Sequence, residues 1–390
     1  MLAFEEELGR RLEALESQNL RRSLRRIDTP QTTRVTMGRR SVLNFSSNDY
    51  LGLATHPLLK TAAEKAVRDY GTGAGASRLI SGSLGLHHES EEALAEFKGT
   101  ERALLFATGY VTAVGTISAL VSASDVVVLD KLVHASIVDG ARLSGAKLRV
   151  FDHNDLNDLE SILKWAEAKR SGNDGRVLIV TESLFSMDGD IAPLEQIVEL
   201  KERYGAWLMI DEAHSTGLFG RKRSGLVEKL GLGGRVEVQM GTLGKALGSA
   251  GGYIAGAGVL IEYLVNKARS FIFSTAPPPS VSAASLAAVG IVQSEEGSEL
   301  VMRLRANIQQ FCAETGVKCA ARNSPIVPFV VGAEVEALRF ADRMLEAGFF
   351  APAIRYPTVA RGQARLRFSF SAAHTKEEVS ALTVALKGMS

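Results

Sequence analysis

Short apolar runs alternate with amphipathic stretches from about residue 100 onward, and this alternation restricts the chain to a small set of folds. Apolar runs of strand length bounded by turn residues are typical of buried strands, and the periodic stretches between them are typical of helices. Strands joined through helices form a mostly parallel sheet with helices on both faces. The predicted fold class is therefore α/β. The predicted strands cover residues 103–106, 126–129, 148–151, 177–180, 207–210 and 236–240.

Polar residues follow five of these strands, at the point where each strand ends. Ligands of open α/β sheets bind beyond the carboxyl ends of the strands, so side chains placed there share one edge. Taken singly, a polar residue after a strand is equally well explained by a helix cap or a turn. Together the five strands predict a ligand site, and the helix start at Gly109 offers backbone N–H groups to a phosphate. The residues concerned are Thr108, Gly109, Tyr110, Asp130, His134, Glu182, Ser186, Asp211, His214, Thr242 and Lys245.

Lys245 stands among glycines in the stretch 240–252, three residues after Thr242. Burial disfavours the charged form of an amine. A neutral amine can attack an aldehyde and hold a cofactor as a Schiff base, and glycines allow the backbone to approach a flat or phosphorylated group. Alone, this pattern also fits an exposed lysine in a loop.

Pyridoxal phosphate is the cofactor whose chemistry needs this set of residues. It takes a lysine for its aldehyde, a carboxylate for its ring nitrogen, and N–H or hydroxyl groups for its phosphate. Singly, Asp211 also fits a helix N-cap and each histidine a satisfied, partly buried imidazole, but the joint set favours the cofactor. The predicted assignments are Lys245 for the aldehyde, Asp211 for the ring nitrogen, His134 for stacking on the ring, His214 for the ring hydroxyl, and Gly109, Tyr110 and Thr242 for the phosphate.

The composition argues against several other classes of protein. The 390-residue chain has a formal net charge of +1, which gives no electrostatic preference for nucleic acid or an anionic membrane. Cys312 and Cys319 have no metal-ligand spacing, so no metal is expected. The N-terminal segment lacks the apolar core of a signal peptide, and no run is apolar enough to span a bilayer, so a cytoplasmic location is expected. The glycine-rich segment 71–77 follows a helical run instead of a strand, which disfavours a dinucleotide loop.

The two ends of the chain are predicted to form separate segments. Residues 2–26 show helical spacing of leucines and end in an arginine cluster that includes Arg21. That cluster fits either a solvated helix end or a contact with an anionic substrate group. Asn48 fits either a turn former or a ligand to a carboxylate. The predicted division is an N-terminal segment at 1–45, a large cofactor-binding domain at 46–275, and linking helices with a small C-terminal domain at 276–390.

Several motifs resemble those of the α-oxoamine synthases, which are fold-type-I pyridoxal-phosphate enzymes. The resemblance extends from about Leu43 to His374, which is nearly the whole chain. It implies the fold of aspartate aminotransferase, with a mostly parallel central sheet, helices on both faces and a smaller C-terminal α/β domain. The matching strings are Thr181-Glu182-Ser183-Leu184-Phe185-Ser186-Met187-Asp188-Gly189-Asp190, Asp211-Glu212-Ala213-His214-Ser215-Thr216-Gly217 and Gly241-Thr242-Leu243-Gly244-Lys245, with further matches at residues 46–53, 77–82 and 353–359.

The resemblance implies roles for individual residues. The implied catalytic residues are Lys245, which binds the cofactor covalently, Asp211 at the ring nitrogen, His134 on the ring face and His214 at the ring hydroxyl. The implied further contacts are Ser186 near the ring hydroxyl, Thr242 with Gly109 and Tyr110 at the phosphate, Thr275 at the phosphate of a partner subunit, Asn48 and Arg355 at a carboxylate, and, more loosely, Arg21 at the acyl end.

The implied reaction is a decarboxylative condensation of L-alanine with pimeloyl-CoA, or with pimeloyl-carrier protein, in biotin biosynthesis. Lys245 is the implied base that removes the α-proton of alanine. The resemblance also implies a homodimer with shared active sites. Within the family, glycine C-acetyltransferase or another pairing of amino acid and acyl thioester stays open. Outside it, the alternatives are a binding protein that keeps the pocket without turnover, and a nicotinamide dehydrogenase. Visible absorbance of the purified protein distinguishes both of these from the main interpretation.

Overall fold

The structure is a computed structural model that describes residues 2–170, 175–317, 321 and 323–389, so Cys319 lies outside the described residues. Within these ranges, no helix is both long and apolar enough to cross a membrane. The helices are α1 (Leu2–Ser17), α2 (Pro57–Tyr70), α3 (Gly85–Lys98), α4 (Gly109–Leu120), α5 (Ala135–Ser144), α6 (Leu156–Arg170), α7 (Leu194–Arg203), α8 (Leu226–Lys229), α9 (Gly258–Lys267), α10 (Arg269–Ile272), α11 (Pro279–Gln293), α12 (Glu295–Thr315), α13 (Glu334–Glu346) and α14 (Lys376–Met389). The strands are β1 (Arg34–Met37), β2 (Arg40–Asn44), β3 (Arg102–Phe106), β4 (Val126–Asp130), β5 (Lys147–Phe151), β6 (Val177–Glu182), β7 (Trp207–Asp211), β8 (Val238–Thr242), β9 (Gly252–Gly256), β10 (Ile326–Gly332), β11 (Phe349–Phe350), β12 (Ala353–Ile354) and β13 (Ala364–Ser369).

The described residues form a seven-stranded central sheet in the order β3-β9-β8-β7-β6-β4-β5. Its strand pairs are parallel except for those made by β9, which runs antiparallel between β3 and β8. The predicted α/β class with a mostly parallel sheet is confirmed. All six predicted strands are present within a few residues of their predicted ends. Strand β9 was not predicted, because glycine and alanine fill three of its five positions and give a weak strand signal.

Three strands of this sheet, β4, β6 and β9, are buried along their whole length. Helices cover both faces of a sheet of this kind, so its strands are apolar on both sides. Leu129, Val180 and Met209 belong to one continuous core with Ile117 of α4 and Ile137 of α5. This arrangement explains why the strands are recognisable in the sequence as unbroken apolar runs.

The described residues group into two compact units. The larger unit comprises Leu51–Ser186 and Asp190–Val301 and contains the central sheet; the smaller unit comprises the chain up to Tyr50, Met187–Gly189, and the chain from Met302 onward. The predicted division at residues 45 and 275 stays a prediction. The two compact units have other boundaries, at Tyr50 and Val301, with Met187–Gly189 in the smaller unit. In the smaller unit, β11 near the C-terminal end pairs with the N-terminal strand β2, which brings distant parts of the sequence together.

Within the described residues, the smaller unit has two three-stranded sheets, in the orders β1-β2-β11 and β10-β13-β12. Aromatic rings form much of its interior. The ring centroids of Phe45 and Phe370 are 5.7 Å apart, and those of Phe311 and Phe370 are 5.0 Å apart. His374 stacks on Phe45 with a centroid distance of 4.1 Å and an interplanar angle of 6°.

The N-terminal helix is shorter than the sequence predicts. It ends at Ser17 instead of continuing to about residue 26, and Asn19 follows it with a left-handed backbone (φ 56°). The Leu20 N–H then donates to Leu15 O at 2.8 Å, which is typical of a left-handed helix stop. The Arg21 N–H also donates to Leu15 O at 3.2 Å, so Arg21 lies just beyond the helix C-terminus, and the interpretation of its cluster as cations near a helix end stays a prediction.

Candidate active site

The parallel strands bring the predicted residues of the larger unit to one edge of the sheet. Glu182 ends β6 and is the register partner of Asp211, which ends β7. Asp211 is in turn the register partner of Met240 in β8. Thr242 ends β8, and His134 is the residue that precedes α5 after β4. The carboxyl ends of neighbouring parallel strands thus supply a carboxylate pair, a hydroxyl and an imidazole to the same edge.

The N-terminus of α4 also points to this edge. Thr108 is the N-cap of this helix, and its side chain accepts the Val111 N–H at 3.3 Å. A Cβ on Gly109 would lie 2.5 Å from Thr242 Cγ2, which shows how closely this turn approaches β8. The Tyr110 hydroxyl donates to Asp139, so its proton already has an acceptor other than a phosphate. A helix N-terminus beside a threonine hydroxyl is a favourable place for a phosphate.

Asp211 is buried at the end of β7. Its Oδ1 accepts the Ala213 N–H at 2.9 Å. Burial raises the pKa of Asp211, and the positive charge of Lys245 opposes this effect. A cationic group placed against this carboxylate would stabilise its ionised form.

Glu182 is buried beside Asp211. Burial, reinforced by the negative charge of Asp211, raises the pKa of Glu182 to about 8, although backbone N–H groups of His134 and Ser186 donate to it. Glu182 Oε1 and Thr242 Oγ1 are both buried and have no hydrogen-bond partner among the described residues. Buried polar atoms normally have partners, so these two atoms mark a place where a polar ligand fits.

The two predicted histidines occupy different parts of this edge. His134 Nδ1 lies 2.8 Å from Ser136 Oγ and also accepts the Ser136 N–H at 3.3 Å. Burial lowers the pKa of His134, which favours a neutral ring at physiological pH. His214 is buried in the turn that follows Asp211. A neutral, flat imidazole is suited to lie against an aromatic ring.

Lys245 lies in a tight loop after β8 and is half-buried. Two backbone hydrogen bonds fold the loop back on itself: Gly248 N–H to Lys245 O at 2.9 Å, and Ser249 N–H to Leu243 O at 2.9 Å. Gly248 has φ 61°, and a Cβ there would lie 2.5 Å from Ala54 N. Only glycine fits at that point, so the glycines around Lys245 serve the fold of the loop that carries it.

Thr275 lies in the larger unit and is exposed on the single chain. It forms an isolated β-bridge with Ser77, and the next residue, Ala276, donates its N–H to Ala76 O at 3.0 Å. The loop around Ser77 and the segment around Thr275 are therefore joined, with Thr275 exposed, Ser77 half-buried and Ala276 buried. A role of Thr275 at the phosphate of another subunit stays a prediction.

Asn48 lies in the smaller unit, and its carbonyl oxygen has two partners there. Asn48 Oδ1 accepts a hydrogen bond from Arg367 Nη1 and one from the Tyr50 hydroxyl, each at 3.1 Å. Arg367 is buried, and the sequence analysis did not identify it. These contacts fix the orientation of the Asn48 amide, because its oxygen faces the two donors.

Arg355 and Arg21 also lie in the smaller unit. The Arg355 guanidinium donates to the backbone carbonyls of Asn19 and Arg21. Burial, and then the positive charges of Arg22 and Arg25, lower the pKa of Arg355. Arg21 is exposed. The predicted substrate contacts of Asn48, Arg355 and Arg21 stay predictions.

A fully buried ion pair supports the turn that carries Asp211, and the sequence analysis missed it. Lys98 Nζ pairs with Glu212 and also donates to Ser224 O at 2.7 Å. Glu212 Oε1 accepts the Val227 N–H at 3.0 Å. Lys98 is remote from Glu212 in the sequence, and no local pattern links the two residues.

This fold and this site define a class of enzyme. The sequence model of the family "Aminotransferase class I and II" matches residues 40–386. A solved serine palmitoyltransferase from S. paucimobilis, with bound PLP and myriocin, has a TM-score of 0.90 and 28% identity over 100% of this chain and 98% of that chain. The chain belongs to the aminotransferase class I and II family. The predicted fold-type-I architecture is confirmed, and the predicted cofactor agrees with this solved relative.

Other relatives have a more specific name. The 8-amino-7-oxononanoate synthase of Geobacter sulfurreducens is 48% identical over 378 residues, which are 96% of this chain and 95% of that protein. A crystal structure of 8-amino-7-oxononanoate synthase from Francisella tularensis has a TM-score of 0.73 and 28% identity, over 89% of this chain and 98% of that chain. The predicted resemblance to the α-oxoamine synthases is confirmed.

Proposed function

We propose that the chain catalyses the decarboxylative condensation of L-alanine with a pimeloyl thioester, a step of biotin biosynthesis. The products are 8-amino-7-oxononanoate, CO2 and the free thiol carrier, which is CoA or a carrier protein. The main observation behind this proposal is that Glu182, Asp211 and Thr242 end neighbouring strands. Lys245 follows Thr242 by three residues. Similarity to synthases of this name over nearly the whole chain supports the choice of substrates.

Pyridoxal 5′-phosphate is the cofactor, and the residues present fit it. Thr242 Oγ1 and Glu182 Oε1 are buried polar atoms that have no partner within the described residues. The α4 N-terminus and Thr242 would hold the phosphate, Asp211 the ring nitrogen, and Lys245 the aldehyde carbon. When bound, the cofactor stabilises negative charge at Cα of the amino acid.

Side chains of the larger unit supply the proton transfer, the electrostatic stabilisation and the exclusion of water. A neutral Lys245 Nζ accepts the proton that leaves Cα of alanine and can return it to the product. Asp211 keeps a carboxylate beside the ring nitrogen, where a cationic partner favours its ionised form. The His134 ring excludes water from one face of the site, and His214 and Ser186 supply hydrogen-bonding groups.

The carboxylate of the amino acid is assigned to Asn48 and Arg355, with Arg21 as a candidate for the distal acyl group. An arginine can hold a carboxylate with two parallel N–H bonds, which fixes its orientation as well as its charge. The Arg367 and Tyr50 contacts support this role of Asn48, because they occupy its oxygen and leave its N–H groups for an anion.

A homodimer with shared active sites is part of the proposal. The exposed position of Thr275 supports it, because a hydroxyl on an exposed bridge can reach a second copy. Mixing Thr275→Ala chains with Lys245→Ala chains tests this assembly. In a hybrid with shared sites, one site carries both defects and the other carries neither, so activity returns. If hybrids form and no activity returns, Thr275 does not act across the interface.

The test of the proposed reaction is a product assay. Purified protein with added cofactor is incubated with L-alanine and pimeloyl-CoA, and 8-amino-7-oxononanoate and CO2 are measured. Parallel reactions replace alanine with glycine, and pimeloyl-CoA with acetyl-CoA. Turnover of glycine with acetyl-CoA, without turnover of alanine with pimeloyl-CoA, would contradict the proposal and indicate glycine C-acetyltransferase activity.

A further inference from the structure

A half-buried histidine of the larger unit, His153, lies between two carboxylates. Its Nδ1 is 2.9 Å from Asp130 Oδ1, and its Nε2 is 2.8 Å from Asp190 Oδ2. The Asn154 backbone N–H donates to Asp130 Oδ2 at 2.9 Å, and its side-chain amide donates to Asp190 Oδ2 at 2.9 Å. The Phe185 ring meets the imidazole edge-on, with a centroid distance of 4.4 Å. We call Asp130, His153, Asn154 and Asp190 the His153 cluster.

The surroundings of the imidazole favour its charged form. Both ring nitrogens face carboxylate oxygens, and the imidazolium can donate to both of them; the Asn154 side-chain amide also lies 3.3 Å from Nε2. Burial disfavours this charge, but the hydrogen bonds and negative charges of Asp130 and Asp190 outweigh burial and raise the pKa of His153 to about 10. The nearby Lys131–Asp152 pair is mostly exposed, so solvent screens it. The cluster is therefore a persistent ionic contact at physiological pH.

The cluster joins the ends of three neighbouring strands, because His153 and Asn154 lie in the loop after β5, Asp130 ends β4 and Asp190 lies in the loop after β6. Asp130 is the last residue of β4, and the loop after it ends at His134, where α5 begins. Asp190 lies in the loop after β6, and its backbone oxygen closes that loop with a 3.0 Å hydrogen bond. The same loop carries Ser186. At the strand end, Glu182 accepts backbone N–H groups from both His134 and Ser186.

We propose that His153 is a positioning residue of the cofactor site. Bound to Asp130 and Asp190, it fixes the loop that carries His134 relative to the loop that carries Ser186. The loops that carry His134 and Ser186 are then held at two places, by the backbone hydrogen bonds to Glu182 and by the ionic contacts of the cluster. This inference rests on the proposed function for the identity of the cofactor.

The contact geometry distinguishes this role from that of an ordinary surface ion pair. The Asp130 side chain is fully buried, and its oxygens accept three separate donors, from His153, Asn154 and Leu132. Exposed pairs contribute little because solvent screens them, whereas removing one partner of a buried pair leaves an uncompensated charge. Loss of His153 would leave Asp130 and Asp190 facing each other across the gap between the loops.

The test uses His153→Gln and Asp190→Asn, which keep the size of each side chain and remove one charge. Amide hydrogen exchange of peptides covering 131–138 and 183–192 is measured in the cofactor-free protein, because it reports local opening. The dissociation constant of pyridoxal phosphate and the visible circular dichroism of the bound cofactor are measured in the holoenzyme. We expect faster exchange in both loops, weaker circular dichroism and a roughly tenfold to hundredfold weaker cofactor affinity, by analogy with the loss seen when the partners that orient metal ligands are removed.

The matched control is Glu237→Gln. Glu237 also pairs with a buried cation, Lys201, at 2.6 Å, and also accepts a backbone N–H, from Leu208 at 2.8 Å. It lies in the larger unit before β8, at the opposite ends of the strands from the site. Its replacement removes an ionic contact without touching the two loops, so exchange in those loops and the cofactor spectrum should stay unchanged.

Each outcome decides the proposal. It is overturned if His153→Gln leaves loop exchange and cofactor affinity as unchanged as Glu237→Gln does, whatever the two variants do to the melting temperature. If His153→Gln does not fold, the same comparison is made with Asp190→Asn. If the wild-type protein binds no pyridoxal phosphate, the proposed function fails instead, and loop exchange in the cofactor-free protein decides the positioning role alone.

Discussion

Two buried regions of the molecule differ in whether their buried polar groups have hydrogen-bond partners. In the smaller unit, His374 is buried against Phe45, and both of its ring nitrogens have backbone partners: the Ser371 N–H at 3.0 Å and Asn44 O at 3.1 Å. In the larger unit, Glu182 is equally buried, yet its Oε1 has no partner among the described residues.

The presence or absence of hydrogen-bond partners helps to tell a structural polar group from one that can bind a ligand. A buried polar group that serves the fold is satisfied by the fold, because leaving it without a partner costs free energy. His374 meets that requirement with its two backbone contacts. Glu182 and Thr242 do not, and both stand at the strand ends where the cofactor site is proposed. Other buried atoms of the described residues, such as Thr116 Oγ1 and Ser282 Oγ, also lack a partner, so the missing partner points to the site only together with the position of Glu182 and Thr242 at the strand ends.

The largest effect should come from Lys245→Ala. We expect turnover to fall on the order of 10⁴-fold or more, because this change removes both the covalent attachment and the base. The measurement is the product assay, together with borohydride reduction and peptide mapping of the wild-type holoenzyme. The label should appear on the Lys245 peptide. A label on Lys222 or Lys131 would show that the assignment is wrong.

A change in the aromatic core should act on stability alone. Phe370→Ala removes a buried ring that packs on Phe45 and Phe311, and we expect a loss of about 3–5 kcal/mol in the free energy of unfolding. All predicted cofactor contacts lie in the larger unit. The dissociation constant of pyridoxal phosphate should therefore stay unchanged at temperatures where the variant is folded. A large change in it would show that the two regions are not independent.

Asp211→Asn should lower turnover more than stability, which is the reverse of the effect expected for Phe370→Ala. Removing a preorganised electrostatic partner typically lowers kcat by roughly 10²–10³-fold. The control is Asp125→Asn, because Asp125 is also a buried carboxylate of the larger unit, with Arg176 N–H at 2.7 Å and Ser122 N–H at 2.7 Å. That variant should lose stability and keep kcat. Equal loss of kcat in both variants would contradict a specific role of Asp211.

Much of the larger unit could be predicted from the sequence, and the reason is physical. Strands buried on both faces are unbroken apolar runs, so β4 and β6 stand out, and the polar residues just after them fall at one sheet edge by topology. Strand β9 could not be predicted, because its glycines serve close packing instead of strand propensity.

The supporting contacts could not be predicted, because they join residues that are distant in the sequence. Lys98 meets Glu212, and His153 meets Asp130 and Asp190, only after the strands are in register. Periodicity carries no information about such pairs. The N-terminal helix was overextended for a related reason: leucine spacing continued, while the left-handed residue Asn19 ended the helix.

The two units should also differ in how their stability depends on pH. In the smaller unit this dependence comes from His374. Burial lowers the pKa of His374 from 6.5 to about 4, so the unfolded chain binds the proton more tightly than the folded chain. The stability due to the neutral ring is thus present above pH 6.5 and lost as the pH falls toward 4, by up to about 3 kcal/mol. His374→Gln should flatten the acid limb of a plot of melting temperature against pH. Parallel curves for variant and wild type between pH 7 and 5 would contradict this.

The smallest effect should be the opposite slope that His153 contributes on the alkaline side. Its pKa is raised from 6.5 to about 10 because the Asp130 and Asp190 carboxylates outweigh the cost of burial. The stability it contributes is therefore fully present below pH 6.5 and is lost as the pH rises toward 10. Because the side chain is 23% exposed, solvent screens part of this effect, and it should be smaller than that of His374. His153→Gln should lower the melting temperature most below pH 7 and progressively less toward pH 10. A constant difference from wild type across that range would mean that the imidazole is not charged, and that the two histidines do not differ in the way the structure indicates.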